Sequence, residues 1–470
     1  MNLYKKIKAN KYTGFVLAPL FSSIIALLTI PMTTWLVSPE EYGKTAVFFI
    51  FHLLVNSIIY LGMDHSYVRT YHEIEEKNIL FYRAIIVPLI FALIISSILI
   101  LFNHKVSFIL FNEKTWIVYI LSLWIPLLVI ERFILLKIRM EEKGNKYGKF
   151  SIGIKLSVFL FTFFMLVLFG GNFKVVILAT ILGQIVVDCI LVISTYREKS
   201  NLSSLKINYD VKDIISMLKY GLPFIPFSLV LWLLNSTDRF ILSIFESPGM
   251  VGEYLIALKI VGLLLVFQTI FTTIWVPIAF KWYQRNESVK KYDLINYIIF
   301  VSMGLLYLII LNLKPLIPLV LSDQYQLVVL YLPFLLLYPL FYTVSEATGL
   351  GIAFKKKSIL NLWISLIAAI VNVGLCYFLI KEFSVVGASI AIGCSYFTYF
   401  TVKTIISRKI WFKFKTKYMY IFCLFFFTTA LLNLLLPLKL GAWMNIILLV
   451  LYVIVNFNKF KSSLIVFKSI

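Results

Sequence analysis

Apolar residues in this chain come in long blocks, not in the alternation of a half-buried strand or the spaced stripe of a surface helix. A block such as IIVPLIFALIISSILILF, residues 85–102, carries no charge on any side, which marks a helix that is buried all round or stands in lipid. A bilayer core of about 30 Å takes about 20 residues of helix to cross, and blocks of that length recur from end to end. They predict 14 membrane-spanning helices, at 13–36, 44–64, 80–102, 116–138, 150–169, 175–196, 218–245, 252–278, 294–313, 327–351, 358–380, 385–406, 418–436 and 441–457. The even number returns both termini to one side. The basic start and first block resemble a signal peptide, but the block is long enough to span and no small-residue cleavage pattern follows, so it reads as a retained helix.

The polar intervals between blocks are short, with one exception. YREKSNLSSLKINYDVKDIISMLKYG at 196–221 begins as a Ser- and Asn-rich linker and ends in a segment, VKDIISMLKYG, with the pattern of an amphipathic helix on the membrane surface. It divides the chain into a six-helix bundle at 1–196, a linker at 197–217, a second six-helix bundle at 218–406 and two additional helices with a tail at 407–470. The bundles read as a repeat. SPEEYG at 38–43 returns as SPGMVG at 247–252, and NFKVVILATILG at 172–183 returns as EFSVVGASIAIG at 382–393. The two offsets, 209 and 210, agree within one residue, which gives weight to matches that are weak singly. A repeat of six crossings keeps its orientation, so the expected fold is all-α, two bundles related by a pseudo-two-fold along the membrane normal. That is a transporter plan, with a cavity that opens alternately to each side.

Composition agrees: 61% of the 470 residues are hydrophobic and 14% charged, with a mean hydropathy of +0.94. A net charge of +22 would suggest nucleic acid in a soluble protein, yet its distribution gives another reason. With the N-terminus inside, seven Lys stand in outer loops (Lys44, Lys105, Lys114, Lys174, Lys314, Lys381, Lys439). Four basic residues lie deeper in spans (Arg132, Lys155, Arg239, Lys259), leaving the other 33 of 44 in inner loops and tails or at the inner ends of spans. The excess therefore implies an orientation with both termini cytoplasmic, and no nucleic acid. The four cysteines sit singly in apolar blocks and form no disulfide or zinc framework. His65 and His72 with Asp64 and Glu73 could be imagined as metal ligands, but polar residues are expected at an inner interface, and no metal site is assigned.

Four stretches carry a resemblance to a known family: LLTIPMTTWLVSPEEYGKTAVFFIFHLLVNSIIYLGMDHSYVRTY (27–71), YGLPF (220–224), STDRFILSIFESPGMVGEYLIALKI (236–260) and FSVVGASIAIG (383–393). They resemble the polysaccharide-transport branch of the multidrug/oligosaccharidyl-lipid/polysaccharide exporter superfamily, which includes the O-antigen flippases. The resemblance implies a secondary transporter, not an enzyme. It implies movement of an undecaprenyl-diphosphate-linked oligosaccharide, for lipopolysaccharide or another surface glycan, from the inner to the outer leaflet. It also implies no cofactor beyond a proton or sodium gradient, and membrane lipids and other polysaccharide-assembly proteins as partners.

Charges within the spans are the candidate site, because a charge facing lipid costs about 2.5–3.5 kcal/mol at the bilayer centre. Arg239 and Lys259 stand ten residues on either side of Gly249, at matching depth on two antiparallel helices. Either they attract the diphosphate, or Asp238 pairs with Lys259 and the group fixes the hairpin, or Lys259 snorkels outward. Arg132 and Lys155 form a second basic group near the inner side, which either contacts the same cavity as Glu131 and Asp188 or snorkels to the inner headgroups. Glu131 and Asp188, with Asp238 and Glu346, are the carboxylates placed to exchange a proton or sodium; a hydrogen-bonded structural role for Glu346 is the alternative. No phosphate-binding glycine loop and no hydrolase motif occurs. A membrane glycan polymerase or glycosyltransferase would carry a large outer loop, and a drug exporter of the same superfamily would have 12 spans; both stay as alternatives.

Overall fold

The computed structural model describes residues 3–111, 113–197 and 211–468, with side chains described at 14, 17–111, 113–195 and 211–457. Most of the connection expected at 197–217, residues 198–210, lies outside the described residues. Every regular element among the described residues is helical. Two compact units divide between Trp232 and Leu233.

The first unit holds α1 (Leu3–Leu36), α2 (Pro39–Ile58), α3 (Met63–Thr70), α4 (Lys77–Leu101), α5 (Asn103–Phe111), α6 (Ile117–Met140), α7 (Gly144–Phe169), α8 (Phe173–Arg197), α9 (Val211–Gly221) and the start of α10 (Phe224–Phe245). The second holds the rest of α10, then α11 (Pro248–Gly262), α12 (Leu264–Gln284), α13 (Val289–Leu313), α14 (Ile317–Val320), α15 (Val328–Leu335), α16 (Leu337–Thr348), α17 (Leu350–Phe354), α18 (Ile359–Ile410), α19 (Lys417–Leu435) and α20 (Leu438–Lys468).

Among the described residues 12 helical stretches are long and apolar enough to cross a membrane, and α2 with α3, bent by 46°, makes a thirteenth. The 52-residue α18 would be about 78 Å long if straight, more than twice a bilayer core. It is not straight. Ser384 has φ 51° and ψ −133°, and Ser395 Oγ donates to Asn372 Oδ1, 23 residues away, at 3.3 Å. The chain therefore doubles back at Ser384, and α18 is the two spans expected at 358–380 and 385–406. Among the described residues the candidate spans then number about 14, in keeping with the sequence pattern. The chain is a multi-pass membrane protein.

Two local features differ from the sequence reading. SPEEYG and SPGMVG are helix starts, not just turns: Ser38 and Ser247 take extended N-cap conformations (ψ 155° and 151°) with Pro39 and Pro248 at the first helical turn. Pro suits that position because its missing N–H would be unpaired anyway. The span expected at 218–245 is broken at Leu222–Pro223, and its first part belongs to α9. That helix packs on α3 and α4: Ser66 Oγ on α3 donates to the Met217 carbonyl at 2.6 Å, Arg83 on α4 pairs with Asp213, and the Arg69 guanidinium on α3 lies 4.4 Å from the Tyr220 ring centre. Gly62, at φ +69°, meets Gly221 so closely that a Cβ on it would fall 2.0 Å from the Gly221 carbonyl oxygen. Only glycine provides both that backbone and that approach.

The first unit's core is built on α4 and α6, with Phe48, Tyr67, Leu80, Trp124, Phe133 and Ile177 fully or almost fully buried. In the second unit the α15–α17 stretch is the central post, with 83% of its most apolar window buried. Large apolar side chains remain exposed on the outer helices, Leu168 at 72% and Ile454 at 64% among them, as suits surfaces that meet lipid.

Candidate functional site

The break between α2 and α3 opens the site. Leu61 and Gly62 both take positive φ, so the chain changes direction after Tyr60 and brings Asp64 and His65 under the end of α2. A cavity of about 540 Å³ lies there within the first unit, lined by side chains from α2, α3, α6, α7, α8 and the start of α10. That volume falls in the range of pockets for small-molecule ligands.

Its polar groups are held in order by one another. Arg132 Nη2 donates to Asp64 Oδ2 at 2.9 Å, Asp64 being 7% exposed and Arg132 46% exposed at the side chain. The Arg132 guanidinium also lies 5.6 Å from the Tyr60 ring centre. Tyr60 OH donates to Asn56 Oδ1 at 2.9 Å, and Asn56 Nδ2 meets His52 Nε2 at 3.0 Å. The His52 ring stacks on Trp124 at 4.5 Å. Across the cavity Gln184 Nε2 donates to Glu131 Oε2 at 2.6 Å. Lys155 is exposed and, with Arg139, also lines the space. Three basic groups thus share it with two carboxylates, and Asp64 occupies one of the five N–H donors of Arg132.

Of the residues singled out from the sequence, Arg132, Lys155 and Glu131 come together in this cavity. Asp188 does not line it. It stands one turn beyond Gln184 on α8, 2% exposed, and neither carboxylate oxygen has a hydrogen-bond partner among the described residues. Sequence reasoning did not select His52, Asn56, Tyr60 or Gln184, and it named Asp64 only as an imagined metal ligand and set it aside. The available signal was Asp64: a carboxylate next to a predicted helix end, at the inner depth already assigned to Arg132.

The second unit treats its charges differently. Asp238 is fully buried and accepts from Tyr254 OH at 2.6 Å, and its other oxygen is 3.6 Å from Arg239 Nε. Arg239 also donates to the Asn235 carbonyl. Tyr396 OH donates to Asn235 Oδ1 at 2.6 Å, and Asn372 Nδ2 to the Leu234 carbonyl at 3.0 Å. Asp238 and Arg239 therefore belong to a polar joint between α10, α11 and α18. Lys259 is half-buried in the last turn of α11. Glu346 on α16 accepts from Lys403 Nζ on α18 at 2.6 Å. His65 stacks on Phe224 at 4.3 Å, and no cluster of three or more His, Cys, Asp or Glu among the described residues could hold a metal ion.

A family profile described as "Polysaccharide biosynthesis protein" matches residues 11–283, more than half of the chain. The chain belongs to this family. No curated protein matches the sequence. Among solved structures, this polysaccharide biosynthesis family protein is similar to the lipid II flippase MurJ in an inward closed conformation, with a TM-score of 0.70 and 15% identity over 96% of this chain and 99% of that one. It is also similar to an inward-facing multidrug resistance MATE family transporter of the MOP superfamily (TM-score 0.68, 13% identity, 82% and 94% covered) and to an outward-facing one (TM-score 0.54, 15% identity, 85% and 95% covered). At such identities the likeness is one of fold. The chain thus has the helical fold of MurJ and the MATE transporters, and the resemblance drawn from residues 27–71, 220–224, 236–260 and 383–393 holds at the level of family and fold.

Chemically, the cavity of this family protein suits an anion with several oxygens. Arg132 presents a planar fork already oriented by Asp64, and Lys155 adds a compact charge on a flexible stem.

Proposed function

We propose that the protein is a flippase that moves an undecaprenyl-diphosphate-linked oligosaccharide, an O-antigen or other surface polysaccharide repeat unit, across the bacterial cytoplasmic membrane by alternating access. The observation that carries this reading is the pair Arg132 and Lys155, on spanning helices α6 and α7, exposed into a cavity of about 540 Å³ within the first unit. Cations held at that depth cost free energy unless they serve a ligand or a partner. Asp64 engages one donor of Arg132 and leaves the rest to a diphosphate. The polar rim of Asn56, Tyr60 and Gln184 offers hydrogen bonds of the kind sugar hydroxyls take. Membership of a polysaccharide biosynthesis family supports the glycan, and the fold shared with a lipid flippase supports a lipid-borne one.

In this reading both termini are cytoplasmic, and transport is driven by a proton or sodium gradient. Glu131, on the cavity wall, and Asp188, one turn behind its partner Gln184, are the exchange groups. Arg239, Lys259, Asp238 and Glu346 act in the second unit, where the pairs Asp238–Tyr254 and Lys403–Glu346 favour holding helices in register over contact with substrate.

The test is direct. A strain lacking the protein should accumulate lipid-linked oligosaccharide in the inner leaflet, and the purified chain in vesicles should restore access of that lipid to an outside glycan probe. Vesicles in which the lipid stays inaccessible, while the chain is folded and a gradient is imposed, would refute the proposal.

A further inference from the structure

A second basic recess lies far along the chain from the cavity, where α18 ends and α19 begins. Arg408, Lys415, Thr416, Lys417, Tyr418 and Ile421 enclose about 530 Å³. Its three basic side chains lie in a stretch, 383–470, that carries no Asp or Glu. Asp293 is the acidic neighbour, acting on the Tyr418 phenol. The Arg408 guanidinium is held 5.8 Å from the ring centre of Phe414, which is 2% exposed, and Arg408 Nε is buried with no hydrogen-bond partner among the described residues. Such a donor is costly to leave unmet. Thr416 is the N-cap of α19 but makes no side-chain capping bond, so the positive end of the helix dipole adds to the three side-chain charges.

The wall below the charges is apolar. Ile421 and Leu424, one turn apart on α19, are 59% and 68% exposed, and they continue the recess along the helix into the span. A phosphate at the cationic rim with a hydrocarbon chain against Ile421 and Leu424 matches both parts. We infer that this recess binds the headgroup of an anionic membrane phospholipid, with Arg408, Lys415 and Lys417 on its phosphate and an acyl chain along α19.

Binding is read on the purified full-length chain in an uncharged detergent at low salt, by thermal midpoint and by native mass spectrometry. Phosphatidylglycerol should raise the midpoint saturably and stay bound, whereas phosphatidylcholine and inorganic phosphate should do neither. Each of Arg408→Gln, Lys415→Gln and Lys417→Gln should weaken the apparent affinity about fivefold, the factor equivalent to about 1 kcal/mol per basic residue at a membrane surface. Lys439→Gln, at the start of α20, should leave it unchanged. Equal response to the two lipids, or wild-type affinity in the triple variant, overturns the inference. A shift produced by inorganic phosphate alone also overturns it, by making the recess a site for free anions. Should Arg408→Gln fail to fold, Lys415→Gln, at an exposed position, carries the same fivefold expectation and the same refutation.

Discussion

Two sets of intramembrane charges look alike in the sequence and differ in the structure. In the first unit Arg132 and Lys155 open onto a cavity, the Arg132 side chain 46% exposed although it is paired with Asp64. In the second unit Asp238 has no exposure at all, and Lys403 is 8% exposed at the side chain against Glu346. Both sets obey the rule that charges at such depth find partners. What separates them is where the unused donors point. A cation with donors left over and space in front of it can take a ligand; a carboxylate closed in by a phenol and a guanidinium holds helices together.

That contrast breaks most sharply if the cavity cations are removed. Arg132→Gln with Lys155→Gln deletes charge-assisted bonds of about 1.5–3 kcal/mol each, so export should fall by roughly tenfold to a hundredfold per residue. The thermal midpoint should fall by only a few degrees: Arg132→Gln weakens the bond to the nearly buried Asp64, to which the amide can still donate, while the other donors lost face space. Export measured as outward access of the lipid-linked glycan, normalised to protein in the membrane, gives the first quantity. An unchanged rate would assign the pair to structure and equalise the two units.

The opposite result is expected in the second unit. Asp238→Ala strands the Tyr254 hydroxyl and Arg239 in a buried joint, and breaking a buried ionic group of this kind costs about 3–5 kcal/mol. That corresponds to a fall of about ten degrees in thermal midpoint for a unit of this size. Membrane abundance should drop with it, while export per surviving molecule should fall much less than in the Arg132 and Lys155 variant. A stable Asp238→Ala protein that fails to export would move Asp238 from holding helices to transport.

Asp188 sharpens the comparison within the first unit, being buried there without the partner that Asp238 has. Asp188→Asn keeps the shape and removes the exchangeable charge. Export should fall about tenfold, within the usual range of coupling between two sites, and lose its dependence on the imposed proton or sodium gradient. Measurement across gradients decides it: a slower variant with the wild-type dependence excludes Asp188 from coupling.

The sequence made the spans legible because crossing lipid demands about 20 apolar residues whatever the neighbours are. It also put Arg132, Glu131, Lys155 and Asp188 at one depth, because depth follows from counting residues along a helix, and the first three line the cavity while Asp188 does not. Rotation about the helix axis was another matter. A helix apolar on all sides has no face that tells which way Asp64 or Gln184 turns, so the Arg132–Asp64 and Gln184–Glu131 bonds, across 68 and 53 residues, could not be read in advance. The same holds for Lys403, which the pattern left near an inner loop and the fold buries against Glu346. The docking of α9 depends on Gly62 and Gly221 meeting across 159 positions of sequence, a contact of backbone with backbone that leaves no signature in hydropathy.

The smallest effect tests the repeated serines, where the units again share a sequence and part in chemistry. Ser38 Oγ accepts from Glu41 N–H at 3.4 Å, a long bond, and the first turn of α2 carries Glu40 and Glu41. Glu41 is further tied down, to Lys44 at 2.6 Å and to the Phe173 backbone N–H at 2.9 Å. Ser247 makes no side-chain cap, and no acidic residue stands in the first turn of α11. Loss of a serine cap costs about 0.5–2 kcal/mol when the bond is made, so Ser38→Ala should fall near the lower end and Ser247→Ala should cost only a few tenths. The carboxylates beside Ser38 favour the helix's positive end independently of the serine, which is why even Ser38→Ala should leave α2 formed and lower the thermal midpoint by only a degree or two. Equal shifts in the two variants would show that the caps are interchangeable, and that the tie from Glu41 to Phe173, not the serine, distinguishes the first unit's helix start.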